Sequence, residues 1–289
     1  MTLLSTLCCA ASFVLASVAS DSLPAMLAAA ALVFAYMSLD NMDGAQARRT
    51  GTSSRLGEFL DHWLDTLNNG FVVLGACFAV NLGPLLTLLV FSAATLAFFG
   101  VQLELRHTGV FRMGRIADIE GNSAVSLLYV TIAFLGRDFF AAEPVSGMPS
   151  LAVLIGLGVM GQALWTLGAA AWRLRGSGAD FLPIGLSSAL LIVWYLQGSV
   201  TPAAALTMAF FINPVFTSRP ILARLLARST STGDWITVAA LAVGICFAIF
   251  QGTPAAAWGV VLIMAAITVS HAVRTISALL EEADPSRGS

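Results

Sequence analysis

Residues 40–65 read DNMDGAQARRTGTSSRLGEFLDHWLD, and five of the chain's sixteen acidic residues lie there, at Asp40, Asp43, Glu58, Asp61 and Asp65. Apolar runs flank the stretch on both sides, so its carboxylates stand where helices leave and re-enter a hydrocarbon layer, a costly placement unless cations compensate them. On a helix Asp40 and Asp43 are three residues apart and Asp61 and Asp65 four apart, so each pair projects from one face. Two helices joined by the polar turn at Thr50, Gly51, Thr52, Ser53 and Ser54 can bring those faces together.

Composition sets the frame around this stretch. Only 10% of the 289 residues are charged, 58% are hydrophobic, and the mean hydropathy is +0.87. That is more apolar surface than a soluble core of this size could hide, and the uncharged runs of about 16 to 22 residues fit helices rather than an alternating barrel pattern. The expected fold is all-α, a polytopic integral membrane protein. Ten spans are predicted, at 3–20, 24–43, 57–82, 84–101, 120–137, 150–172, 181–197, 201–216, 235–251 and 254–273. The two between 181 and 216 are short and separated only by Gly198 to Val200, so a merged or tilted pair is the alternative.

Every basic residue is Arg. Arg48, Arg49 and Arg55 follow span two; Arg106, Arg112 and Arg115 follow span four; Arg173 and Arg175 follow span six. Arg219, Arg224 and Arg228 follow span eight, and Arg274 and Arg287 follow span ten. Thirteen of the fourteen therefore fall on one side, with Arg137 alone on the other. Basic residues concentrate in cytoplasmic loops, so both termini and the stretch 40–65 are expected at the cytoplasmic face. The first segment lacks the basic region of a signal peptide and reads as a span. Residues 281–289 read as a solvated cytoplasmic tail, and 101–119 as a loop or interfacial helix.

Several residues have bland readings. Cys8, Cys9, Cys77 and Cys246 lie in apolar helices without metal-ligand spacing and read as small buried hydrophobes. Glu104 and His107 read as solvated, and His271 as an interfacial anchor. Asp234 with Trp235 reads as the cap and anchor of span nine. Gly156, Gly158 and Gly161 suit helix packing. A net charge of -2 with no basic stripe excludes a nucleic-acid footprint.

The acidic stretch has no such bland reading, because capping explains one or two of the aspartates but not four at these spacings. Four carboxylates balance two divalent cations, and hard oxygen ligands suit Mg²⁺ or Mn²⁺. Gly44 and Gly57 would let a ligand approach the backbone, Ala47 is small, and Arg48 offers a forked guanidinium to a phosphate. A metal-bridged diphosphate fits that set.

Asp40, Asp43, Gly44, Ala47, Arg48, Gly57, Asp61 and Asp65 resemble, without a gap, the signature of the CDP-alcohol phosphotransferases, D-x-x-D-G-x-x-A-R-x8-G-x-x-x-D-x-x-x-D. The resemblance implies that Asp40, Asp43, Asp61 and Asp65 bind two divalent metals. It also implies that Gly44, Ala47, Arg48 and Gly57, with Asp40, surround the CDP moiety. Ser38, Leu39, Gln46 to Gly51, Ser53, Ser54, Glu58 and His62 are similar to the choline/ethanolamine phosphotransferase branch. Gly109, Arg112, Gly114, Arg115 and Glu120 continue it more weakly. Two departures are visible: a Pro-Asn-Thr-type segment ahead of the first span is missing, and Trp63 and Leu64 stand where that branch has small or thiol side chains.

A lone His beside an apolar run is ordinarily a packed residue. Here Glu58 lies one turn before His62 and could hold one ring nitrogen, leaving the other to take a proton from an acceptor hydroxyl. The resemblance implies that His62 is the base, with the metal ligand Asp65 as its competitor. Arg112 and Arg115 read as loop charges, with a phosphate or lipid head group as the alternative ligand.

The expected function is an enzyme of phospholipid biosynthesis. It would transfer phosphocholine or phosphoethanolamine from CDP-choline or CDP-ethanolamine to a lipid hydroxyl such as diacylglycerol, releasing CMP. Residues 1–175 would form the catalytic core in the first six spans, 176–280 additional helices, and 281–289 the tail. The last spans would serve as a lipid gate or a homodimer interface. The alternative within the superfamily is a CDP-diacylglycerol donor with a small soluble alcohol. Outside it, an ion-coupled transporter would place its carboxylates near the midplane, and a membrane prenyltransferase would space its acidic motifs far apart.

Overall fold

The computed structural model describes residues 1–112, 118–226, 234–251 and 255–283. Its described residues are helical and turn-linked, without strands. Ten helices fall on the ten predicted spans: α1 (Thr2–Val18), α2 (Leu23–Thr50), α3 (Arg55–Ala79), α4 (Pro84–Thr108), α5 (Asp118–Leu135), α7 (Leu151–Arg173), α8 (Gly178–Leu196), α9 (Pro202–Leu225), α10 (Trp235–Gln251) and α11 (Ala255–Ala283). The short α6 (Asp138–Ala141) was not predicted. The pair α8 and α9 stays separate, broken at Gly198, whose φ of 74° suits glycine.

Among the described residues, α2, α4, α7, α8 and α11 are long and apolar enough to cross a membrane, while α1 and α10 are shorter apolar helices. Leu127, Trp165, Val243 and Leu262 are large, apolar and exposed, as lipid-facing side chains are. The protein is a multi-pass membrane protein.

The chain divides into two compact units. The first comprises Met1–Ser53, Leu64–Ala97 and Arg112–Gly168. Here α2 packs against α1 and α5. Small residues allow the approach: Ala29 and Ala30 are buried, the Ser12 hydroxyl donates to the Ala29 carbonyl (2.8 Å), and that of Ser126 to the Ala30 carbonyl (2.9 Å). Gly75 permits another close contact, since a Cβ there would lie 2.6 Å from the Tyr129 hydroxyl. Arg137 donates to Ser20 (3.1 Å) and pairs with Asp21 (3.5 Å), at the end of α2 opposite Asp40. Its isolation in the arginine tally has this structural counterpart.

The second unit comprises Ser54–Trp63, Phe98–Phe111 and Ala169–Ser289. In it α9 packs on α8 and α11, and α10 on α8 and α11. Trp194 is fully buried against Gly244, where a Cβ would lie 2.8 Å from its ring. Asp234 accepts the Thr237 N–H (3.1 Å), as a cap should, but it is also buried and paired with Arg219 at 2.9 Å. His271 joins this group, 3.4 Å from Arg219 and 3.9 Å from Asp234, which is more than interfacial anchoring.

Two expectations are corrected. Glu104 is not solvated: α4 continues to Thr108, and Glu104 is fully buried, accepting from Arg173 Nε at 2.6 Å and Nη2 at 2.7 Å. A buried carboxylate survives only with such a partner. His107 is exposed, as expected, with Asp180 3.7 Å away. Cys246 is exposed and Cys8 half-buried, so only Cys9 and Cys77 are buried thiols. Arg115 and Arg228 lie outside the described residues.

The Glu104–Arg173 pair yields a prediction. Arg173→Ala removes the bidentate guanidinium from the buried Glu104 and is expected to cost about 3 kcal/mol. Thermal unfolding in detergent should show a lower Tm, largely restored when Glu104→Leu is added; an unchanged Tm for Arg173→Ala contradicts this.

Candidate active site

The helices α2 and α3 and the four residues between them build the site. At 28 residues α2 is about 42 Å long, enough to cross a hydrocarbon layer and carry its last turns beyond it. It ends at Gly51 in the left-handed conformation (φ 68°), where the Thr52 N–H reaches the Ala47 carbonyl at 3.0 Å. Arg48 and Arg49 sit in this last turn, where cations suit the helix dipole. Helix α3 then starts after Ser54, whose hydroxyl accepts the Gly57 N–H at 3.0 Å. A Cβ on Gly57 would lie only 3.2 Å from that oxygen, so glycine leaves the cap unobstructed.

This helix–turn–helix brings Asp40, Asp43 and Asp61 together. Each offers a carboxylate oxygen, and the three oxygens lie within 4.8 Å of one another. All three residues are half-buried. Like charges held so close repel unless a cation stands between them. Three hard oxygens suit a divalent ion such as Mg²⁺, so the donor set fits the metal expected of it. Asp65, one turn beyond Asp61 on α3, is half-buried and lies outside that set of three. Asp43 also accepts a hydrogen bond from the Thr2 hydroxyl at 2.7 Å. Around them Gly44 and Ala47 are half-buried and Arg48 is exposed, with its guanidinium 3.4 Å from where a Gly44 Cβ would be.

His62 follows Asp61 and is half-buried, with its ring 5.9 Å from that of Phe111. Its Nδ1 is buried and has no hydrogen-bond partner among the described residues. The Glu58 carboxylate lies 2.7 Å from Arg224 of α9, and no hydrogen bond between Glu58 and His62 is found among the described residues. Arg224 and Glu58 are both within electrostatic reach of His62. The first turns of α3 are held from the same side by packing: Phe59 is fully buried with Ile221, Leu225 and Leu279, against which Leu56, Leu60 and Trp63 pack. The late helices α9 and α11 thus buttress the turn that carries Gly57, Glu58, Asp61 and His62. No sequence pattern pointed to Arg224, because its partner lies more than 150 residues away.

Further polar groups belong to the first unit. Asn68, one turn beyond Asp65, is fully buried, and neither atom of its amide has a hydrogen-bond partner among the described residues. Asp118 opens α5 and accepts from Asn122 at 2.6 Å. Burial raises the Asp118 carboxyl above its ordinary pKa, opposed by the bond from Asn122 and reinforced by the charge of Glu120. Extending the Asp61–Asp65 face by one more turn would have flagged Asn68; nothing local flags Asp118.

Relatives that match part of this chain include proteins of Gallus gallus, Danio rerio and Dictyostelium discoideum. Cholinephosphotransferase 1 of Gallus gallus is 39% identical over 106 residues, 36% of this chain and 32% of its own length. The protein of the same name from Danio rerio is 34% identical over 137 residues, 46% of this chain and 36% of its own. An uncharacterized CDP-alcohol phosphatidyltransferase class-I family protein 2 of Dictyostelium discoideum is 30% identical over 141 residues, 49% of this chain and 29% of its own. The matched region spans about a third of the length of these relatives. The CDP-alcohol phosphatidyltransferase family model matches residues 1–156, more than half of the 289 and inclusive of both carboxylate-bearing helices; this chain belongs to that family.

Proposed function

We propose that the protein is a membrane transferase that moves phosphocholine or phosphoethanolamine from the CDP-alcohol to the hydroxyl of a lipid acceptor, diacylglycerol, releasing CMP. The observation that carries this reading is the convergence of Asp40, Asp43 and Asp61 at the helix–turn–helix between α2 and α3. In the proposal residues 1–175 form the catalytic core, and the site faces the cytoplasm, where the CDP-alcohol is dissolved.

Asp40, Asp43 and Asp61, with Asp65, would hold the divalent metal, which when bound neutralises charge on the diphosphate. Arg48 adds a guanidinium to the same phosphates, and Gly44, Ala47 and Gly57 leave room for the nucleotide. His62 takes the proton of the acceptor hydroxyl on a ring nitrogen; Asp65 is the competing base. The acceptor oxygen bonds to the β-phosphorus, the bond from that phosphorus to the bridging oxygen breaks, and CMP leaves with the electron pair. The Glu58–Arg224 pair and the packing around Phe59 hold the start of α3 so that His62 keeps its place beside Asp61.

Membranes containing the protein, given labelled CDP-choline, CDP-ethanolamine or CDP-diacylglycerol with diacylglycerol or soluble alcohols, test the reading. Label from CDP-choline or CDP-ethanolamine is expected in lipid and only when Mg²⁺ is present. Label moving only from CDP-diacylglycerol to a soluble alcohol overturns it.

A further inference from the structure

Three carboxylates of the first unit share one neighbourhood. Tyr36, buried one turn before Asp40 on α2, and Cys9 of α1 each lie in electrostatic reach of Asp40, Asp65 and Asp118. The packing of α5 on α2 explains how Asp118 arrives there. Ser126 reaches the Ala30 carbonyl and, one turn nearer the start of α5, Ser123 reaches the Met37 sulfur at 3.6 Å. The two helices therefore run antiparallel, and the next turn of α5 puts Asp118 level with the Asp40 end of α2. The Cys9 thiol donates to the Asn68 carbonyl at 3.6 Å, which ties Asn68 to the same neighbourhood.

Asp118 accepts a neutral hydrogen bond from Asn122, and no ion pair to it is found among the described residues. Asn68 is a fully buried amide whose acceptor and two donors have no partner among the described residues. Leaving a buried polar group unmatched is costly, so such a group is expected to have a ligand or water for a partner. A carboxylate, an amide oxygen and a tyrosine ring are the groups that recognise an ammonium ion. Metal-held phosphates beside Asp40 and Asp65 would put the alcohol end of a CDP-alcohol within reach of them.

We propose that Tyr36, Asn68 and Asp118 form a subsite beside Asp40 and Asp65 that receives the ammonium end of the CDP-alcohol. This rests on the donor proposed above. Asp118 supplies the counter-charge, Asn122 orients it, Asn68 offers its amide oxygen, and Tyr36 closes the wall towards α2. These residues set head-group affinity and do not take part in bond making.

The test uses the full chain reconstituted in phosphatidylglycerol vesicles with diacylglycerol. Asp118→Asn is expected to raise KM for CDP-choline about 10- to 100-fold, the scale of a lost bond to a charged group. Inhibition by CMP, which lacks the head group, should stay within about twofold, and Asp118→Glu should recover part of the loss. Asn68→Ser, a smaller change, should raise the same KM several-fold and carries the test if Asp118→Asn does not fold. An unchanged KM in the folded variants overturns the subsite, as does an equal weakening of CMP, which would mean a structural or metal-holding role. A wild-type protein inert towards both CDP-choline and CDP-ethanolamine instead overturns the proposed donor.

Discussion

Asp61→Asn is expected to abolish transfer, by at least about a thousandfold, while leaving the helices folded. The substitution keeps the size and shape of the side chain but removes one anion from a set of three whose oxygens lie within 4.8 Å. An amide oxygen is a weaker partner for Mg²⁺ than a carboxylate, and the site loses about one unit of the charge that draws the cation in. Phosphoryl transfer depends on that charge, because positioning and neutralisation of the phosphates supply most of the catalysis. Labelled transfer measured across a range of Mg²⁺ checks it. The variant should not be rescued by excess metal, and Mn²⁺ binding followed by electron paramagnetic resonance should weaken in parallel. A loss smaller than tenfold would remove Asp61 from the metal site.

His62→Ala is expected to lower turnover about 10²- to 10⁴-fold with CDP-alcohol binding largely kept. Phe111 packs near the ring, and Nδ1 is buried without a hydrogen-bond partner among the described residues. A nitrogen in that state is suited to accept a proton from a substrate hydroxyl. Glu58 is engaged by Arg224, so its contribution runs through the position of the α3 start rather than through a bond to the imidazole. Glu58→Gln should therefore cost less turnover than His62→Ala. Steady-state kinetics with a nucleotide-binding assay separates the two effects. Near-normal turnover in His62→Ala would transfer the role of base to Asp65.

The cluster of Asp40, Asp43 and Asp61 was legible because its parts are close in sequence. Asp40 and Asp43 share a helix face, Asp61 shares another, and the turn between the helices is only four residues long, so local geometry nearly dictates their meeting. The all-helical membrane character was legible for a similar reason, since hydrocarbon demands long apolar helices and permits little else; five of the described helices are long and apolar enough to cross a membrane. Glu104 was misread because the end of α4 was placed at 101, and a carboxylate past the end of a span looks solvated. Its true partner, Arg173, belongs to α7 and is brought near only by packing.

The amino-acid sequence alone determined the helical membrane fold and a helix–turn–helix whose carboxylates could hold a divalent metal, because both follow from periodicity and spacing over a few helical turns. Which distant groups meet the residues of each helix was decided by tertiary structure within each unit. Arg224 reaches Glu58 from α9, Asp118 arrives on α5, and Phe59 is buried by α9 and α11. These partners lie tens to hundreds of residues from the turn, and their approach depends on where small residues such as Ala29, Ala30 and Gly75 let helices come close.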